Sequence, residues 1–227
     1  MKHNKKSISQ NLNILRAGVL GANDGIVSTA GIVIGVAGAT THLNTIFISG
    51  IAGLVAGALS MAGGEYVSVS TQKDTEKAAI QTEREEIAAD YQGELKELAT
   101  FYENKGLAKD LAYQVAFELM AKDALNAHAE SELGLNPNNY VNPWNAALSS
   151  MLSFSVGALL PLLTILLFPP NVRIGLTFLV VLASLGLTGY ISAYLGSAPK
   201  RNAVLRNMCV GMLTMIITYL VGLWVGI

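Results

Sequence analysis

Five apolar segments, each long enough to cross a lipid bilayer, limit what this chain can fold into. They cover residues 17–40, 46–70, 143–170, 174–199 and 207–227. A helix of about 20 apolar residues spans the hydrocarbon of a bilayer. With 14% charged residues and a mean hydropathy of +0.44, the chain is also too apolar for an ordinary soluble domain. We therefore predict an all-α polytopic membrane protein with five transmembrane helices.

A polar insert separates the second apolar segment from the third. It is rich in Ala, Glu, Lys and Leu, which favour helix, and Gly106 and the 134–137 stretch are helix stops. We expect three insert helices, the first continuing from the second span to about residue 92 and the others over about 94–104 and 107–133. The chain then divides into residues 1–72 (leader and helices 1–2), 73–142 (insert) and 143–227 (helices 3–5).

The distribution of Lys and Arg predicts the orientation, because cytoplasmic loops carry an excess of these residues. The leader and the loop before the last span hold seven of them: Lys2, Lys5, Lys6, Arg16, Lys200, Arg201 and Arg206. The loop after the first span has none, and the loop after the third has only Arg173. We therefore expect the N-terminus and the insert in the cytoplasm and the C-terminus outside.

Carboxylates are segregated on the first insert helix. If that helix runs on past residue 93, at about 100° per residue, six acids share an arc of about 80°. They are Glu76, Glu83, Glu86, Asp90, Glu94 and Glu97. If Gly93 bends the chain, the pairs Glu83/Glu86 and Glu94/Glu97 still each present two carboxylates one turn apart. Solvated helix faces usually mix charge signs, because like charges one turn apart repel, whereas segregated carboxylates suit a divalent cation. Composition alone leaves both a metal site and a solvated acidic face open.

The third insert helix adds His128 and Glu132 at a four-residue spacing. An imidazole beside carboxylates shifts the preference from calcium toward iron, manganese or zinc, although a lone histidine is more often a surface or capping residue. The Glu-x-x-His pair of di-iron bundle enzymes is missing, because Leu125 stands three residues before His128. The pattern does not favour a ferroxidase centre.

Three chemically unusual side chains lie within the first two apolar segments. Asp24 is about eight residues, or roughly 12 Å, into the first one, where a carboxylate normally marks an ion path or a proton relay. Met61 and Glu65 lie one turn apart near the end of the second. A thioether with carboxylates fits a borderline cation such as ferrous iron better than magnesium. We predict a transport pathway through Asp24, Met61 and Glu65.

Glycines at four-residue spacing favour close helix packing in the membrane and a dimer, although the motif is common. The pairs are Gly21 and Gly25, Gly31 and Gly35, and Gly53 and Gly57.

Two motifs in the first half of the chain carry a family resemblance. GANDGIVSTAG at 21–31 and AGALSMAGGEYVSVSTQKDTE at 56–76, followed by the acidic insert and three plain spans, resemble the vacuolar iron transporter family in its short prokaryotic form. The resemblance covers nearly the whole chain after about residue 15. It implies a homodimer that moves ferrous iron, and often manganese, out of the cytosol in exchange for protons.

The resemblance also implies roles for particular residues. Asp24 and Met61 would line a pore along the dimer interface, and the insert would be a cytoplasmic metal-binding domain. Its glutamates would be Glu83, Glu86, Glu94, Glu97 and Glu132. His128 is a departure, since plant members carry methionine there, so manganese stays open as a substrate. For a prokaryotic-type chain the plasma membrane is the expected location.

These patterns favour a metal transporter that is not an enzyme and has no tightly bound cofactor. The cargo would be Fe²⁺ or Mn²⁺, with Zn²⁺ and Co²⁺ open, and the partners would be the bilayer, protons and a second copy of the chain. A formal net charge of −1 argues against nucleic acid. The alternatives are a membrane-anchored iron-storage or iron-oxidising protein and a metal sensor.

Overall fold

Seven helices make up the chain in the computed structural model, which describes residues 6–226 and the side chains from residue 14 onward. The leader residues Lys2 and Lys5 lie outside this range. The helices are α1 (Lys6–Ala39), α2 (Leu43–Ala89), α3 (Tyr91–Asn104), α4 (Lys109–Ser131), α5 (Pro143–Leu167), α6 (Arg173–Leu195) and α7 (Lys200–Val225). The described residues contain no β-strand.

Five of these helices, α1, α2, α5, α6 and α7, are long and apolar enough to cross a membrane. The predicted all-α class with five spans is therefore confirmed for the described part of the chain. The cytoplasmic location of the insert stays a prediction.

Helix α2 differs from the prediction at its far end. It is one helix of 47 residues, about 70 Å long, which is more than twice the thickness of the hydrocarbon. It ends at Ala89 because Asp90 leaves the helical conformation, at φ −144° and ψ 72°. The Asp90 carboxylate instead accepts a hydrogen bond from the backbone N–H of Gly93 at 2.9 Å and caps α3. A continuous helix through residue 93 was thus the wrong basis for the acidic stripe.

The chain forms two compact units. The first, here called the membrane unit, consists of Met1–Val67 and Pro143–Ile227. The second, the polar unit, is Ser68–Asn142.

Helix α1 packs backbone to backbone against α5 within the membrane unit. A methyl group at Gly25 would overlap the carbonyl of Phe154, and one at Gly157 would overlap the carbonyl of Ala22. Lipid tails are as apolar as the side chains, so helices associate in a bilayer largely through such close van der Waals contact. Glycine is required at these positions because any side chain would separate the two helices.

The glycines of α2 serve a different kind of contact. Gly50 faces the side chain of Leu162, and Gly57 faces the ring of Phe154, both from α5. Ala58 and Met61 pack around the same ring. In α2, therefore, the space that a missing side chain leaves is filled by an apolar side chain of the neighbour.

The polar unit has a small apolar core between α3 and α4. Leu95 and Leu98 pack there with Ala116 and Met120. Helix α4 bends at Asp123, whose φ and ψ of −165° and 91° are non-helical. Its carboxylate accepts a hydrogen bond from the N–H of Asn126 at 3.0 Å, so Asp123 caps the last segment of α4.

Replacing Gly157 by alanine should destabilise the membrane unit by about 1–3 kcal/mol, the usual cost of overpacking. Thermal unfolding of the purified protein in detergent measures the change. Gly175→Ala is the matched control, because an added methyl at this exposed position of α6 meets nothing within 4 Å. Equal stability of the two variants would contradict the backbone contact.

Candidate metal centre

His128 lies at the centre of a cluster of carboxylates in the polar unit. Its side chain is completely buried. Its Nδ1 atom is 2.9 Å from Oε1 of Glu83, 3.2 Å from Oε1 of Glu132 and 3.6 Å from Oε2 of Glu94. One nitrogen thus lies within 4 Å of three carboxylate groups from three helices.

The two breaks in the helices place these side chains. Glu83 is on the last turns of α2, and the turn at Asp90 starts α3 so that Glu94 comes to the same imidazole. The bend at Asp123 starts the segment of α4 that carries His128, and Glu132 is the C-terminal cap of that segment. Helices α3 and α4 are also tied by a 3.1 Å hydrogen bond between the hydroxyl groups of Tyr102 and Ser131.

The close approaches in this cluster are not hydrogen bonds. Oε1 of Glu83, Oε1 of Glu132 and both ring nitrogens of His128 are buried and have no hydrogen-bonding partner among the described residues. Buried polar atoms without a partner are rare and require an explanation. Ligand atoms of Glu83, His128 and Glu132 lie within 4.8 Å of one another, close enough for one cation to bridge them. The orphaned atoms therefore fit a metal site.

Burial raises the pKa of all three inner carboxyl groups above the ordinary glutamate value of 4.5. His128 opposes the shift, whereas the neighbouring glutamates add to it by repulsion between like charges. A bound divalent cation would offset both the cost of burying the charged carboxylates and the repulsion between them, because it supplies positive charge where they meet. Oxygen ligands with an imidazole suit Fe²⁺, Mn²⁺ or Zn²⁺.

The remaining acids of the predicted stripe lie outside this inner group. Glu86 and Glu97 are exposed, yet close enough to raise the pKa of Glu83 and Glu132, so they form a rim of negative charge. Asp90 caps α3, and Glu76 accepts a hydrogen bond from Gln72 at 2.8 Å. Spacing along one helix could not separate the inner carboxylates from the rim. It shows on which side of the helix a side chain lies, but not how deeply that side chain is buried.

The membrane unit holds the three side chains of the predicted pathway. Asp24 is partly buried in α1 and accepts a 3.3 Å hydrogen bond from the hydroxyl group of Ser28. Met61 packs against the cluster around Phe154, and Glu65, one turn later in α2, is buried. Within the described chain, no hydrogen bond or ion pair joins Asp24, Met61 and Glu65 to one another.

Glu65 instead pairs with Arg16, a partner that sequence reasoning missed. The Nη2 atom of Arg16 is 3.2 Å from Oε2 of Glu65, with the carboxylate 8% exposed and the guanidinium 55% exposed. From the sequence alone, Arg16 serves only as an orientation signal. The signal that could have revealed the pair is the carboxylate of Glu65 within an apolar segment, because a buried carboxylate needs a positively charged partner. Arg16, at the start of the neighbouring apolar segment, is a candidate for that partner.

Comparison with known proteins identifies the family of the chain. The VIT family model matches residues 15–223. A vacuolar iron transporter of Acanthamoeba castellanii is 42% identical over 209 residues, which is 92% of this chain and 77% of that protein. Vacuolar iron transporter homolog 1 of Oryza sativa subsp. japonica is 36% identical, over 90% of this chain and 71% of its own length. Vacuolar iron transporter homolog 3 of Arabidopsis thaliana is 34% identical, over 90% and 80% respectively. The chain belongs to the VIT family.

Proposed function

We propose that this protein is a proton-coupled transporter that moves divalent metal, Fe²⁺ or Mn²⁺, out of the cytosol. The observation that carries the proposal is the buried His128, whose ring nitrogens have no hydrogen-bond partner among the described residues, beside three carboxylates in a chain with five apolar helices. The names of the relatives add iron as a cargo. The chain is then a transporter, not an enzyme, and the metal is its substrate.

Capture of the metal is the task that we assign to the polar unit. The exposed rim of Glu86 and Glu97 attracts cations, and the inner group of Glu83, Glu94, Glu132 and His128 binds them. Because the site combines oxygen ligands with an imidazole, it does not select strongly among Fe²⁺, Mn²⁺, Zn²⁺ and Co²⁺. Selection of the transported ion then depends also on the membrane unit.

Passage through the membrane is the task that we assign to Met61, Glu65 and Asp24. The Arg16 guanidinium neutralises Glu65 in the described structure, so an arriving cation would have to displace it. Asp24 then binds the metal in place of a proton, which couples the two fluxes. Its only described partner is the Ser28 hydroxyl group, which supports its availability for this exchange.

A second copy of the chain is the partner that we propose for α2. Ala52, Ala56, Ser60 and Gly64 stand at four-residue spacing, and all four are exposed. A methyl group at Gly64 would meet nothing within 4 Å. Small residues in such a row let two helices approach closely in a bilayer, which supports a homodimer.

The orientation of the charged ends supports a cytosolic polar unit. Arg16 lies where the apolar part of α1 begins, and Arg201 and Arg206 lie in the first turns of α7. The positive-inside rule assigns such positively charged ends of spans to the cytosol. We propose that the membrane is the plasma membrane of a prokaryote. The names of the relatives instead refer to the vacuole.

Replacing Glu83 by glutamine should weaken Mn²⁺ binding about tenfold or more, because it removes a charged ligand from the inner group. Isothermal titration calorimetry of the chelator-washed, full-length protein in detergent measures the dissociation constant. The matched control is Glu85→Gln, because Glu85 is exposed on the same helix and bonded to Gln81 at 2.7 Å. Unchanged affinity in Glu83→Gln would contradict the proposed site.

Without metal, stability should fall as the pH rises from 4.5 toward neutrality. The inner carboxyl groups hold protons more tightly in the folded chain than in the unfolded one. Their contribution is therefore complete below the unfolded pKa and is lost as the pH rises through the folded one. Thermal unfolding with a chelator, from pH 4.5 to pH 7, measures this slope.

Two comparisons make the pH experiment specific to the cluster. Glu83→Gln should flatten the slope, because the amide cannot ionise. Excess Mn²⁺ should restore stability at neutral pH, since a ligand of the folded state stabilises it. A wild-type slope that matches that of Glu83→Gln would contradict the role of this carboxyl group.

Replacing Asp24 by asparagine should abolish coupled transport and leave Mn²⁺ binding by the polar unit intact. The measurement follows Fe²⁺ and Mn²⁺ uptake together with lumenal pH in liposomes that carry a pH gradient. Asp74→Asn, an exposed site in the polar unit, should transport normally. The double variant Glu83→Ala with Glu86→Ala should take up metal more slowly without losing transport.

Two outcomes would count against this mechanism. Transport by Asp24→Asn at the wild-type rate would remove Asp24 from the pathway. Tight binding without flux of either metal in the wild-type protein would favour storage or sensing.

A further inference from the structure

A cavity of about 370 Å³ opens in the membrane unit between α1, α6 and α7. It lies beside the first turns of the apolar part of α1, the first turns of α7 and the end of α6, so its lining comes from one end of the helix bundle. Arg16 and Arg206 contribute the charged groups of the lining, with the polar side chains of Asn23, Ser192 and Asn207. The proposed metal pathway does not account for this cavity.

The charges in the cavity fit an anion. None of the lining residues is acidic. Arg206 is exposed and has no carboxylate partner among the described residues. Arg16 gives one nitrogen to Glu65 and retains other N–H donors, since a guanidinium carries five. Two guanidinium groups repel a divalent cation, and they present the donors that recognise a phosphate group.

The cavity adjoins an apolar one. Leu15, Val19 and Leu195 line both it and a second cavity of about 360 Å³, which lies between α1, α5 and α6. Ile14 and Ile191 are among the apolar residues of that second cavity. A free phosphate ion would use only the polar part, whereas a molecule with a phosphate group and a hydrocarbon chain would use both.

Aromatic residues indicate the depth of the polar cavity in the membrane. Tyr190 and Tyr194 on α6 are stacked, with ring centroids 6.4 Å apart, and the Lys200 amine lies 5.1 Å from each ring. Tyrosine and lysine collect at the level of the lipid headgroups. Tyr194 is two residues from Ser192, which lines the cavity together with Arg16 and Arg206. The two arginines therefore also lie near the level of the lipid headgroups.

We propose that this cavity binds an anionic phospholipid, whose phosphate lies between Arg16 and Arg206 and whose acyl chain enters the adjoining apolar cavity. The proposal does not rest on metal transport, because its test measures lipid binding and no carboxylate of the metal cluster lines the site. The site does share Arg16 with the Glu65 ion pair. Basic pockets between transmembrane helices are the usual sites of such headgroups.

The test titrates the detergent-solubilised, full-length protein with phosphatidylglycerol or phosphatidylcholine of identical acyl chains and counts bound lipids by native mass spectrometry. We expect the wild type to prefer phosphatidylglycerol about tenfold, the size of one or two charge-assisted hydrogen bonds. Arg206→Gln should lose most of this preference. Arg201→Gln should keep it within about twofold, because Arg201 is exposed and does not line the cavity.

Each other result would overturn the proposal. Equal binding of the two lipids by the wild type would exclude an anion-selective site. Equal losses in Arg206→Gln and Arg201→Gln would indicate attraction by surface charge alone. If inorganic phosphate displaced the lipid at millimolar concentration, the apolar cavity would have no part in binding. Melting temperatures in lipid-free detergent, expected to be equal for both variants and the wild type, check that the proteins remain folded.

Discussion

Direct contact between helix backbones is the interaction on which the membrane unit depends. In a bilayer the hydrophobic effect does not bring helices together, so α1 has to approach its neighbours closely enough for dispersion forces to add up. Gly25 and Gly157 allow this on the α5 side, and Gly222 does so on the α7 side, where it meets the backbone of Gly35. These contacts fix α1, and α1 carries Asp24 and Arg16. The glycines that lack a side chain thus determine where the side chains of Asp24 and Arg16 lie.

The two units treat buried negative charge in opposite ways. In the membrane unit, Glu65 is compensated inside the protein by Arg16 at 3.2 Å. In the polar unit, Glu83, Glu94 and Glu132 share a single imidazole, and one oxygen each of Glu83 and Glu132 has no hydrogen-bond partner among the described residues. A carboxylate that is paired with a guanidinium is stable without a ligand. A cluster of carboxylates with too little positive charge nearby instead favours the binding of a cation from solution. That contrast is the physical basis for assigning capture to the polar unit.

Prediction from the sequence succeeded where one helix contains the whole signal. The five spans follow from apolar length alone, and the helical periodicity of the acids picked out Glu83 and Glu86 near one another. It could not show that α2 ends before Asp90, because an aspartate is compatible with both a helix interior and a cap. Nor could it show the bend at Asp123 that brings His128 inward.

Contacts between distant segments were beyond sequence reasoning. Arg16 and Glu65 are 49 residues apart, and the sequence of neither segment indicates that these two side chains form an ion pair. The same is true of the cavity between α1, α6 and α7, whose arginines lie 190 positions apart in the chain. Pairing of this kind depends on how helices cross, which periodicity does not encode.

The different use of glycine in α2 has a consequence for motion. A transporter has to open to each side of the membrane in turn, so some helices must move past others. Between α1 and α5 the backbones interlock, and any slide would force carbonyl groups through each other's positions. Along α2 the neighbours instead place the flexible ends of Leu162 and Ile32 over Gly50 and Gly53, where a change of rotamer can follow a small displacement. Helix α2, which carries Met61 and Glu65, can therefore shift in this way while α1 and α5 keep their backbone contact.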